Sequence, residues 1–261
     1  MAYSWIVAPA LVGLFALFAN IILGRQVLKR GVIFIDLAMA QIAALGVLII
    51  QLSVGHADVP FSSKLLASWV LTVPAAILLS YLERKVDQHL EALIGLLYVL
   101  AACLAVLLVS HNPHGKEMIS SLLNGRLLWS SPSDVLPVFC VAAALFAIQV
   151  WRGSWLAGRG FYILFAIAIP PLVMSLGVYL EFACLIIPAL SVAALNNRTM
   201  WLGAIVVGMV GGVGGFYTSL IWDFPVGPCV VLSMAVSGLL YSVILSGVSK
   251  KVASVASTSN S

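Results

Sequence analysis

Nine apolar stretches joined by short polar connections run the length of this chain, and they settle its solvent before any motif is considered. They fall near residues 5–24, 32–54, 65–82, 92–110, 134–151, 161–179, 181–197, 200–222 and 226–248. At a helical rise of about 1.5 Å per residue, roughly 20 apolar residues cross the hydrocarbon core of a bilayer. Of all residues 62% are hydrophobic and 8% charged, against about 45–50% and about 25% in soluble domains. The sequence predicts an all-α, polytopic membrane bundle of about nine transmembrane helices, one domain over 1–248. A tail over 249–261, rich in Ser and poor in large apolar side chains, is expected to be disordered. The longest connection, about 111–133, is too short to fold alone.

Basic residues set the orientation. Arg25, Lys29 and Arg30 follow the first stretch, Arg84 and Lys85 the third, Arg152 and Arg159 the fifth, Arg198 the seventh, and Lys250 and Lys251 the ninth. Ten of the 13 basic residues thus fall on alternate connections, and that side is expected to be cytoplasmic. The amino terminus is expected outside and the tail inside. The opening MAYSWIVAPALVG has no basic segment and no small-residue cleavage site, so it reads as a mature span. The formal charge of +4 follows from this topology and gives nucleic-acid binding no support.

Several familiar chemistries are excluded. No GxxxxGK[ST] segment is present, so energy from ATP would have to arrive through a partner. Cys103, Cys140, Cys184 and Cys229 each stand alone in an apolar run, as packing residues do. Gly208 with Gly212 and Gly211 with Gly215 form overlapping GxxxG spacings, which allow helix backbones to approach closely. Pro9, Pro74, Pro137, Pro170, Pro171 and Pro188 lie inside spans, where each freed carbonyl must find a partner within the protein.

An ionisable side chain in lipid costs at least ~2.5–3.5 kcal/mol unless it faces a partner or water. Two candidates arise. Asp36 lies six residues past Arg30; it is either an interfacial carboxylate paired with Arg30 or Lys29, or a residue lining a cation path. Glu181 falls near the expected hairpin tip at Val178 to Glu181, closer to the outer interface than to the midplane. Among histidines, His56 (with Asp58), His111 and His114 (with Glu117) fall on outer connections, and His89 on a cytoplasmic one. Imidazole beside carboxylate suits transient metal capture, so His111 and His114 are candidate ligands.

From Lys29 onward the order of motifs resembles the membrane permease subunit of the zinc/manganese-type ABC importers, the ABC-3 family. RGVIFIDLAMAQIAALG (30–46) is similar to the family's segment of a basic residue, Phe-x-Asp, small residues and Gly. EALIGLLYVLAACLAVLLVS (91–110) and LLNGRLLWSSPSDV (122–135) follow, then LIIPALSVAAL (185–195). GFYTSLIWDFPVGP (215–228) fits a GxYxSxxxDxPxG spacing at Gly215, Tyr217, Ser219, Asp223, Pro225 and Gly227.

The resemblance implies a type II ABC importer permease in the bacterial inner membrane: a homodimer with an ABC ATPase on its cytoplasmic face and a solute-binding protein outside. It implies transport of divalent zinc or manganese by alternating access, with no enzymatic centre and no resident cofactor. The metal path would use Asp36, with Gln41 and Glu181 as further candidates. Arg152, Trp155 and Arg159, in WRGSWLAGRG (151–160), would touch the ATPase, although the family's acidic, Ala-containing helix is absent there. Asp223, Pro225 and Gly227 would fix an outer turn. The family's His four residues after the Asp is replaced by Ala40. Gln41, five residues on, points about 140° away on an ideal helix, and Met39 shares the Asp36 side. Rival readings are a permease for siderophore-bound iron or a corrinoid, and an ion-coupled secondary carrier.

Overall fold

The computed structural model describes residues 4–54, 59–83, 85, 86, 89–158, 160–193, 195 and 197–258. The elements are α1 (Ser4–Arg30), α2 (Ile35–Val54), α3 (Phe61–Leu82), α4 (Leu90–Val109), α5 (Gly115–Asn124), α6 (Pro132–Trp151), α7 (Gly153–Ala157), α8 (Gly160–Leu176), α9 (Val178–Ser191), α10 (Asn197–Trp222) and α11 (Val226–Thr258). A single 3-10 turn, Leu127–Trp129, precedes α6. The backbone of α11 is helical through Thr258, past the domain boundary placed at 248.

Among the described residues, seven helices are long and apolar enough to cross a membrane: α1, α2, α3, α4, α6, α10 and α11. Helices α8 and α9, of 17 and 14 residues, pass that test only as a pair, and they are bent by 116°. The expected nine crossings are therefore corrected to seven and one bent pair. Gly177 makes the bend. Its φ of 80° and ψ of 161° lie in a region essentially reserved for glycine. Gly125, at φ 73° and ψ 179°, shares it. A Cβ on either would overlap the backbone of the other, so the α5 terminus and the bend meet with no side chain between them.

Contacts at the ends fix the direction of each helix. Arg30, Glu83 and Gly158 meet at one end, joining the termini of α1, α3 and α7. Asn124, Gly125, Gly177 and Gly227 meet at the other. Helix α8 begins at the Arg30 end and reaches the Gly125 end; α9 then runs back along α1, with Glu181 beside Asn20 and Leu185 against Gly24. The strict alternation of the basic connections is thus kept.

Helices α2, α8 and α9 form the centre. Phe161, Tyr162, Phe165 and Ile169 of α8 and Ile35, Met39 and Leu48 of α2 are fully buried. Around them α3, α4, α6, α10 and α11 present Val70, Leu107, Leu136, Leu202 and Leu239 outward, as lipid requires. The paired prolines of α8 show how the freed carbonyls are satisfied. Pro170 and Pro171 cannot donate to the carbonyls of Ala166 and Ile167; Thr72 Oγ1 donates to the first at 3.1 Å and Trp69 Nε1 to the second at 3.1 Å. Both donors come from α3, so the proline kink and the α3–α8 contact are one feature. The glycine run of α10 is divided between neighbours: Gly211 and Gly215 lie against Met234 and Val230 of α11, and Gly208 against Leu17 of α1. Gly212 faces open space.

Candidate functional site: two buried carboxylates

Three helices bring polar groups to one point inside the bundle. Helix α1 supplies Asn20, α2 supplies Asp36, and α9 supplies Glu181; all three are fully buried. Asn20 lies ten residues before the end of α1, about 15 Å along the axis. The α1–α9 approach is close because Gly24 sits on the carbonyl of Leu185, where any side chain would collide. It lets Asn20 Nδ2 donate to Glu181 Oε2 at 2.9 Å. Among the described residues, Glu181 Oε1, Asn20 Oδ1 and both carboxylate oxygens of Asp36 have no hydrogen-bond partner. The two carboxylates are near enough to repel one another, and the thiol of Cys184 lies within the field of both.

Magnitudes decide what this arrangement can do. Asp36 stands in the first turn of α2, where the helix dipole stabilises a negative charge by about 0.3–1 kcal/mol. Burial of an ionised group costs at least ~2.5–3.5 kcal/mol, and the second carboxylate adds repulsion. One hydrogen bond from Asn20 does not offset this. A proton or a cation can. Pro188, one turn beyond Cys184, has no N–H to donate to the Cys184 carbonyl.

The Glu181 reading is corrected: the side chain is one turn past the break and turned inward onto Asn20, not out toward an interface. The pairing of Asp36 with Arg30 is also corrected, because Arg30 pairs with Glu83 at 3.0 Å. Gln41 is buried on α2, and Met39 is fully buried among apolar neighbours. His111 and His114 are exposed at the Gly125 end, away from the carboxylates. His111 Nδ1 lies 3.0 Å from Ser110 Oγ, and His114 Nδ1 3.5 Å from Glu117 Oε2. Among the described residues no three His, Cys, Asp or Glu side chains are grouped so as to hold a metal ion. His56, Asp58, Arg84 and Arg159 lie outside the described residues.

Arg152 and Trp155 are exposed at the Arg30 end, on and beside the short α7. In the α10–α11 turn Asp223 has φ 53°, a conformation Asp tolerates. Ser219 Oγ donates to the Phe224 carbonyl at 2.6 Å, and Gly227 packs on the Asn124 carbonyl. A cavity of about 430 Å³ is lined in part by Leu180 and Cys184, neighbours of Glu181 on α9. Leu17, Leu127, Leu180, Cys184, Gly212 and Met234 line it, so it is apolar throughout, and Cys184 Sγ meets Met234 Sδ at 3.9 Å on its wall. Sequence reasoning overlooked Asn20. The available signal was an amide inside the first apolar stretch.

Residues 2–157 and 154–246 match the model of the ABC 3 transport family. Among solved structures, the chain is similar to PsaBC from Streptococcus pneumoniae in complex with Fab: TM-score 0.69, 18% identity, 91% of this chain and 91% of that one covered. It is also similar to an inward-facing ABC transporter of metal-chelate type, with TM-score 0.59, 18% identity, and 92% and 85% covered. The bundle is therefore type II ABC importer-like. The chain belongs to the ABC 3 transport family, as a multi-pass permease of the cytoplasmic membrane that carries transport and no catalysis.

Proposed function

We propose that this permease moves a divalent metal cation, zinc or manganese, inward by alternating access, and that Asp36 and Glu181 meet the cation on its way. The observation that carries the reading is the pair of buried carboxylates, near enough to repel, with three oxygens that have no hydrogen-bond partner among the described residues. A cation between them removes both the repulsion and the unmet hydrogen-bonding demand. The ligand set is incomplete, which suits a group that must release what it takes up.

In this reading the Arg30 end faces the cytoplasm, following the distribution of basic residues. Two copies enclose the path. An ABC ATPase engages α7 through Arg152 and Trp155, and a loaded solute-binding protein docks at the Gly125 end, where His111 and His114 are exposed. The metal is cargo, and the role calls for no resident cofactor. The apolar cavity favours the rival reading of an organic chelate by its size, which falls within the range of small-molecule sites. It offers no charged group to hold one.

The test is uptake by the permease reconstituted with its ATPase and binding protein in proteoliposomes. Zinc or manganese uptake is expected to depend on ATP and to fall at least about tenfold in Asp36→Asn, since loss of a charged ligand in a buried site costs more than the ~1.4 kcal/mol that a factor of ten represents. Unchanged divalent uptake in Asp36→Asn, or uptake of only chelated iron or a corrinoid, would sink the reading.

A further inference from the structure

Arg30 closes α1 with a guanidinium that reaches three other pieces of the chain. Its Nη1 lies 3.0 Å from Glu83 Oε1, just past the end of α3. Its Nη2 donates to the carbonyl of Gly158, the residue that ends α7. Its Cζ lies 4.7 Å from the ring centre of Phe161 and 5.6 Å from that of Tyr162, both in the first turn of α8. A planar fork with five N–H donors and two faces can do all of this at once; a single ammonium cannot. The side chain is 16% exposed, so these contacts are sheltered from water.

On its other side Arg30 is joined to the segment carrying Asp36 by only the four residues 31–34. Gly31 N–H donates to the Leu28 carbonyl at 3.3 Å and Ile35 N–H to the Val32 carbonyl at 3.2 Å. These bonds close two turns in series, Leu28–Gly31 and Val32–Ile35, which meet at Gly31 with φ 70°, and Ile35, fully buried, opens α2 one residue before Asp36. Helix α7 itself has five residues and exposes Trp155.

We infer that Arg30 is a positioning residue for transport: it pins α7 to the start of α2, so that a displacement of α7 is handed to the segment carrying Asp36. This rests on the reading of the chain as a permease whose α7 meets the ATPase. The pin acts through direction as well as charge, because the carbonyl, the carboxylate and the two rings hold the guanidinium in one plane.

The experiment uses the reconstituted complex with Arg30→Lys, Arg30→Met and Glu83→Gln, reading metal uptake and ATP hydrolysis in the same vesicles. Expected is retained ATP hydrolysis with uptake per ATP reduced roughly tenfold in Arg30→Lys, within the usual range for a coupling interaction, and a smaller reduction in Glu83→Gln. A merely structural Arg30 would lower the amount of assembled complex and leave uptake per ATP unchanged; that result overturns the pin. Should Arg30→Met fail to assemble, Arg30→Lys and Glu83→Gln carry the test. An environment-sensitive fluorophore on Phe34→Cys, in the 31–34 connection and exposed, gives a readout that needs no cargo. ATP is expected to shift its emission in the otherwise unaltered complex and not in Arg30→Lys. Loss of metal uptake with that shift intact sinks the cargo reading alone; a shift retained in Arg30→Lys, or absent from the unaltered complex, sinks the pin.

Discussion

Asp36 and Asn20 separate stability from transport at the level of single side chains. Asp36→Asn removes one of two repelling charges from a buried site, so its thermal midpoint in detergent is expected to stay level or rise while uptake collapses. A fall in both together would mean that Asp36 holds the bundle and does not serve the cargo. Asn20→Ala has the opposite signature: it strips Glu181 of its only described donor, costing about 1–3 kcal/mol or more for a charged acceptor. Thermal unfolding of the two variants side by side distinguishes them. Both carboxylates of this site were legible in the sequence as candidates, and the depth of Glu181 and the role of Asn20 were not. Asp36 stood out because a charge in an apolar run is rare, whereas Glu181 was misplaced because apolar composition on both sides concealed where α8 ends. Its partner Asn20 carries no charge and so gave no comparable alarm.

Helices α8 and α9 show what a hydropathy reading misses at the level of elements. An apolar run of 161–197 can fold as two crossings or as one bent pair, and only the backbone state of Gly177 distinguishes them. Gly177→Ala and Gly125→Ala each force a side chain into glycine-only conformational space, at a cost of order 1–3 kcal/mol before any overlap is counted. Both variants are expected to reduce the yield of folded protein in size-exclusion analysis, and normal yield from either would show that the α5–bend contact is dispensable. The α3–α8 seam makes a milder prediction. Thr72→Val keeps the shape but leaves the Ala166 carbonyl without its donor, which within membranes costs roughly 0.6–2 kcal/mol. Prolines inside spans implied such donors from the sequence, yet could not say that α3 would provide them.

Over the whole molecule, the alternation of basic connections survives the change from nine crossings to seven and a bent pair. It survives because α9 retraces the direction that a full crossing would have taken. A membrane-impermeant thiol reagent on intact cells is expected to label Lys116→Cys, near the start of α5, and to leave Lys85→Cys, beyond α3, unlabelled until the cells are opened; the reverse would invert every docking face assigned above. Charge pattern and apolar length were legible from sequence since they depend on the solvent alone. The packing order of the helices was not, because it is decided by close approaches such as Gly24 on Leu185 and Gly215 on Val230, which involve residues of no distinctive polarity. The convergence of Asp36 on Glu181 has a consequence beyond the membrane step. On the proposed function, cargo held between the two carboxylates relieves their repulsion and stabilises the folded chain by mass action. Scarcity of cargo would then shorten the permease's own lifetime before quality-control proteolysis, so that abundance of the importer falls with supply even at constant synthesis.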